Sequence, residues 1–257
     1  MHNTLNKMVD DMLERDTRRK REARVCDIQQ ITPKMRRITL CGDDVDKFID
    51  DPRAHEPASW IKVFFPWRDS LAGRVYTLSG LNEFSRTIDI DMVLHGEGPA
   101  ASWATHAILG DKLGFAGPCS GGFQLQPETR WLLLLGDETA LPAMRSILDT
   151  LPRSLPVLWF AEVSGRQEIQ PIDYPLLKEN NWQIRIRHFD SVMNSPLVQA
   201  ISHYRLPDEQ GQVWLACEQQ VAAYLKNHFI NEVGIPKPLL FAKGYWKKGE
   251  SNFKGSV

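Results

Sequence analysis

The spacing of apolar positions changes twice along the chain. Over residues 1–22, Leu5, Met8, Met12 and Leu13 recur at helical intervals and run into Arg15, Arg18, Arg19, Lys20 and Arg21, which predicts a polar, solvated helix. From 23 to 127 the apolar residues gather in short or alternating runs at 35–40, 60–65, 75–78 and 88–94, separated by Gly, Pro, Asp and Asn. That spacing predicts an antiparallel β-barrel, interrupted by one helix at 99–107 whose first turn is Gly98-Pro99. From 128 to 257 strand-like and helix-like segments alternate, at 131–135, 141–151, 156–162, 183–189, 196–204, 213–217 and 221–233. Continuous apolar strands joined through helices predict a parallel sheet covered on both faces, an α/β domain. The carboxyl end of its first strand, 132–135, should border a ligand crevice.

A chain of 257 residues with 42% hydrophobic content is long enough for two domains. Its formal net charge of -1 supplies no global attraction to nucleic acid or an anionic membrane, so any basic site is local. Cys26, Cys41, Cys119 and Cys217 lack the short paired spacings of zinc or iron–sulfur ligation and are read as buried thiols. No resident metal is expected, because the histidines show no His-Glu-x-x-His or equivalent spacing. Asp10, Asp11, Glu14 and Asp16 stand where a signal peptide needs an apolar core, and no stretch approaches the roughly 20 apolar residues of a membrane span. The expectation is a cytoplasmic monomer.

Two segments carry candidate chemistry. Arg74-Val75-Tyr76-Thr77 ends a predicted barrel strand and combines a guanidinium for a phosphate, a ring for an isoalloxazine and a hydroxyl for a flavin's reactive nitrogen. Alternation sends Arg74 and Tyr76 to one side and Thr77 to the other, unless a bulge or twist intervenes. His95-Gly96-Glu97-Gly98-Pro99-Ala100-Ala101-Ser102-Trp103 then leads small residues into a helix. Glycines permit close backbone approach there, and the first amides and positive dipole end of a helix can cradle a diphosphate.

Together these segments resemble the siderophore-interacting proteins, a branch of the ferredoxin-reductase-like flavoproteins. Further matches are Gly110-Asp111 with Gly117-Pro118, then Gly136-Asp137-Glu138-Thr139-Ala140-Leu141-Pro142-Ala143, Trp214-Leu215-Ala216-Cys217-Glu218 and Gly244-Tyr245-Trp246-Lys247-Lys248-Gly249. The resemblance runs over about residues 24 to 250, in order. It implies an FAD-binding β-barrel at 23–127 and an NAD(P)H-binding-like α/β domain at 128–257. Arg74 would contact FAD phosphate, Tyr76 would pack on the isoalloxazine, and Thr77 would lie near its redox-active edge, with Val75 between them. His95, Gly96, Gly98, Pro99, Ala100, Ala101, Ser102 and Trp103 would hold the remaining phosphate and ribityl portion, and Thr139 and Trp246 would add cofactor contacts from the second domain.

The activity so implied is FAD-dependent reduction of a ferric siderophore with release of Fe(II). NAD(P)H or a ferredoxin would be the electron donor. Where many ferredoxin-reductase-like relatives have a Gly-rich turn after the first strand of the second domain, this chain has Asp137 and Glu138, whose carboxylates would repel a nucleotide pyrophosphate. Lys62, Lys243, Lys247 and Lys248 are the candidate cations for an anionic chelate, with Gly244 allowing a sharp turn that carries Trp246 and the last two lysines to the cleft. A siderophore-binding flavoprotein without catalysis and a general NAD(P)H:flavin reductase are the alternatives.

Overall fold

A computed structural model describes residues 21–67, 70–95, 98–184, 191–250 and 253. Residues 1–20 of the helix predicted at 1–22 and the candidate residue Gly96 lie outside them. The chain divides into two compact units, Met1–Gly122 and Phe123–Val257.

The first unit contains β1 (Arg21–Thr32), β2 (Met35–Cys41), α1 (Asp43–Ile49), β3 (Trp60–Trp67), β4 (Ser70–Asn82), β5 (Thr87–Val93), α2 (Pro99–His106) and β6 (Lys112–Cys119). The strands close into an antiparallel barrel in the order β1-β2-β5-β4-β3-β6, which leaves no free sheet edge. Ile38, Leu40, Ile61, Val63, Phe65, Ile90 and Phe115 fill its core. Arg21 and Glu22, expected at the end of the polar helix, instead open β1, because they pair with Phe115 and Gly114 and help close the barrel. A second helix, α1, joins the single one expected. Its first turn carries Asp43, Asp44 and Asp46, which suits the positive end of the helix dipole, and burial of Val45, Phe48 and Ile49 holds so short a helix in place.

Cys26 and Cys41 also depart from expectation. They form a disulfide across the β1–β2 pair, with a Cα–Cα distance of 6.1 Å, and Cys26 is exposed rather than buried. The β-hairpin brings together thiols 15 residues apart, a pairing that sequence spacing alone does not reveal. Cys217 is buried and Cys119 half-buried, and neither forms a disulfide.

The second unit contains β7 (Trp131–Asp137), α3 (Leu141–Thr150), β8 (Val157–Val163), β9 (Leu177–Ile184), α4 (Pro196–Ser202), β10 (Gly211–Glu218), α5 (Gln219–His228) and β11 (Leu240–Trp246). Its five strands are parallel, in the order β11-β10-β7-β8-β9. Every residue of β7, β8 and β10 is buried, as expected for strands covered on both faces. Expected at 183–189, β9 begins at Leu177. Its polar sequence fits an edge strand, which needs apolar residues on fewer sides. Residues 185–190 lie outside the described ones. Gly244 sits inside β11, not in a turn. A Cβ there would overlap the side chain of Gln219, so glycine is needed for the close approach of α5.

Candidate functional site

On β4, Arg74, Tyr76 and Thr77 face Val63, Ile61 and Trp60 of β3. The irregularity in the β4–β5 register comes later, between Leu78 and Gly80. Regular alternation therefore places Arg74 and Tyr76 on one face of the β3–β4 ribbon. Thr77 and Val75 lie on the other, together with Lys62, the cross-strand partner of Val75. Thr77 is buried and Val75 exposed. Arg74 donates from Nη1 to the Gly73 carbonyl at 2.9 Å. Burial pushes the Tyr76 phenol above its ordinary value, with the Arg74 charge acting in the opposite direction.

Tyr76 meets Phe65 edge-on at 6.0 Å, and Phe65 in turn packs on Trp103 at 5.2 Å. This aromatic chain ties the strand to α2. The helix begins at Gly98 without a side-chain cap and with Pro99 in its first turn. Its first internal hydrogen bond runs from the Ser102 amide to the Gly98 carbonyl at 2.9 Å. The Ala100 and Ala101 amides precede that bond and have no acceptor within the helix. A Cβ built on Gly98 meets nothing within 4 Å, so the turn borders open space. Exposed His95 precedes it. Helix amides without an acceptor inside the helix, room beside the turn, a guanidinium and a sheet-face aromatic form a donor set that fits a flavin diphosphate.

The carboxyl edge of the second unit's sheet is built differently. Gly136 lets α3 pack closely, since a Cβ there would come within 2.6 Å of Ala140 Cβ and 2.8 Å of the Ala216 carbonyl. Asp137 is only 2% exposed. Its Oδ1 accepts from the Thr139 amide at 2.9 Å and the Thr139 hydroxyl at 2.6 Å, and its Oδ2 accepts from Trp246 Nε1 at 2.7 Å. Thr139 and Trp246 thus converge on one carboxylate. Glu138 Oε1 accepts from the Ser164 amide. Glu218 Oε2 caps α5 through the amides of Gln220 at 2.6 Å and Val221 at 3.2 Å, while Oε1 accepts from the Lys248 amide at 3.2 Å. Asp137, Glu162, Glu218 and Trp246 line a cavity of about 10 Å³, the space of a single water.

Asp137 and Glu138 therefore bond to their own chain, a role that the simple picture of exposed repelling charges lacks. Among the candidate cations, Lys62 Nζ lies 5.6 Å from the Phe64 ring centroid and Lys243 Nζ 6.0 Å from that of Tyr245. Lys247 pairs with Glu250 at 2.8 Å, so it supplies less free positive potential than expected. Lys248 is exposed. The capping role of Glu218 and the bridging role of Phe65 between Tyr76 and Trp103 are not evident from the sequence. A glutamate directly before Gln219-Gln220-Val221 marks a helix start only once the helix boundary is known, and Phe65 reads as an ordinary core residue.

Comparison with known proteins gives these features their context. A model described as siderophore-interacting protein matches residues 129–249, and one described as siderophore-interacting FAD-binding domain matches 68–122. Ferric vibriobactin reductase ViuB of Vibrio cholerae is 29% identical over 245 residues, covering 86% of this chain and 87% of that protein. The crystal structure of a siderophore utilization protein from T. fusca superposes with a TM-score of 0.81 at 28% identity, covering 92% and 95% of the two chains. A ferredoxin NADP+ reductase from Neisseria gonorrhoeae shares the fold, with a TM-score of 0.58 at 13% identity over 88% of this chain and 99% of that one. The chain belongs to the siderophore-interacting protein family and carries that family's FAD-binding domain.

Proposed function

We propose that this chain is an FAD-dependent oxidoreductase that reduces ferric siderophores in the cytoplasm and releases their iron as Fe(II). The observation that carries the reading is the pairing of the Arg74-to-Thr77 strand with the uncapped, open start of α2, in a chain similar throughout to a ferric vibriobactin reductase. Bound FAD supplies a store of two electrons that can leave singly. Arg74 and the Ala100 and Ala101 amides hold its phosphates, with His95, Gly98, Pro99, Ser102 and Trp103 shaping the cradle. Tyr76 packs on the isoalloxazine, and Thr77 borders its reactive edge. Within the second unit, Thr139 and Trp246 are the candidate cofactor contacts, and both bond to Asp137.

Lys62, which shares the ribbon face of Thr77, attracts an anionic ferric chelate, and Lys243 and Lys248 are the second unit's candidates for the same role. Each electron accepted converts one Fe(III) to Fe(II), which hard oxygen donors hold less firmly, so the metal leaves. The electron donor is NAD(P)H or a ferredoxin, and the internally bonded carboxylates at the sheet edge favour the ferredoxin.

The test is to load the protein with FAD, photoreduce it without oxygen and mix it with a ferric siderophore in the presence of a ferrous-specific chelator. Reoxidation of the flavin with stoichiometric Fe(II) is expected. A flavin that stays reduced while the chelate binds would leave a binding protein, and turnover of free flavin without iron would leave a general flavin reductase.

A further inference from the structure

We propose that a pocket on the flank of α2 receives the adenine of FAD, an inference that rests on the flavin reading above. The pocket, of about 200 Å³, is lined by Pro66 and Trp67 at the end of β3, by Pro99, Ser102, Trp103 and His106 of α2, and by Asp111. The four helix residues are spaced at i, i+3, i+4 and i+7, one continuous helix face. Trp103 is 8% exposed, and its indole Nε1 is buried with no hydrogen-bond partner among the described residues. Trp159 and Trp214 also have buried indole donors without a partner among the described residues, but of the three only Trp103 lines this pocket, which sets an unpaired donor beside the space that a ligand's acceptor would fill. Adenine carries ring-nitrogen acceptors, and its flat face can stack on an indole such as that of Trp67.

The order of groups along the barrel points to the same occupant. Trp67 pairs with Ser70 at the start of β4, and Arg74 and Tyr76 follow on the same strand. At about 3.3 Å per residue, Trp67 stands roughly 13 Å before Arg74 and roughly 20 Å before Tyr76. Cross-strand partners share a face, so Trp67, Arg74 and Tyr76 lie in sequence along one side of the ribbon. FAD has the same order of parts: base, diphosphate, isoalloxazine. Pro99 belongs to both features, since it lines the pocket and immediately precedes the amides assigned to the phosphates.

Titrating the flavin-free protein with FAD and with FMN, which lacks the adenosine half, tests this. The wild type should bind FAD at least about tenfold more tightly than FMN. Trp67→Ala should weaken FAD on the order of tenfold, the effect of losing a base-stacking ring. Trp103→Phe, which keeps a ring but removes the donor, should weaken it severalfold. FMN affinity should stay within about twofold in Trp67→Ala and fall less than FAD affinity in Trp103→Phe, with the thermal midpoints of both variants as the control for folding. Equal wild-type affinity for the two flavins, an FAD affinity that neither variant lowers, or parallel losses of FAD and FMN would overturn the inference while leaving the flavin reading intact. Failure of the wild type to bind either flavin would instead overturn the flavin reading.

Discussion

In the barrel unit α2 starts without a side-chain cap and faces open space at Gly98, whereas in the second unit α5 starts on the Glu218 carboxylate. One helix start leaves its amides for an outside anion, and the other has an anion from its own chain. Helix α3 also lacks a side-chain cap, but the turn before it holds Asp137 and Glu138, each bonded within the unit. Two Gly-containing turns that look alike as sequence thus differ in what they can accept. The difference lies in the two carboxylates that stand beside the second turn and are absent from the described residues of the first.

The barrel half of this comparison is most exposed to Arg74→Ala. Losing a phosphate-paired guanidinium costs roughly 1.5 to 3 kcal/mol, or about 10- to 150-fold in flavin affinity. Fluorescence titration with FAD measures it, and an unchanged dissociation constant would remove Arg74 from the site.

The second half is tested by Asp137→Ala. The substitution strips the acceptor from Thr139 and Trp246 and should cost about 1–3 kcal/mol. At about 2–4 °C per kcal/mol for chains of this size, the thermal midpoint should fall by several degrees. A midpoint that does not move would mean that the carboxylate is free to act on a ligand after all.

The smallest expected effects concern the lysines. Replacing Lys62, Lys243 and Lys248 with Gln should raise the KM for an anionic ferric chelate and flatten its salt dependence, with flavin occupancy preserved, since exposed charges act mainly by steering. Lys247→Gln alone should change little, because Glu250 already offsets that charge. Wild-type kinetics in the triple variant would leave capture to shape.

The sequence revealed those parts of the fold whose signals are local. The buried strands β7, β8 and β10 stand out because all their residues are apolar or shielded, and α2 because Gly98-Pro99 opens it. Helix α1 was missed because its acidic first turn masks three buried positions that only tertiary packing makes visible. The exposed edge strand β9 was displaced because half-solvated strands carry weak periodicity. At the site, Arg74, Tyr76 and Thr77 could be picked out by residue type and spacing. The Asp137–Trp246 bond could not, since it joins residues 109 apart in sequence. Gly244 illustrates a related ambiguity: a glycine kept for close packing and one kept for a turn look identical until the neighbouring helix is in place.

The contrast between an open flavin cradle and an internally bonded sheet edge is tested most directly by an anaerobic absorbance titration of the FAD-loaded protein with NADH, NADPH and reduced ferredoxin. The account predicts ready bleaching of the flavin by reduced ferredoxin, and slow bleaching by either nucleotide, needing high concentrations. Fast reduction at micromolar NADH or NADPH would contradict it, because a nucleotide pyrophosphate would then bind well at an edge that carries the carboxylates of Asp137, Glu138 and Glu218.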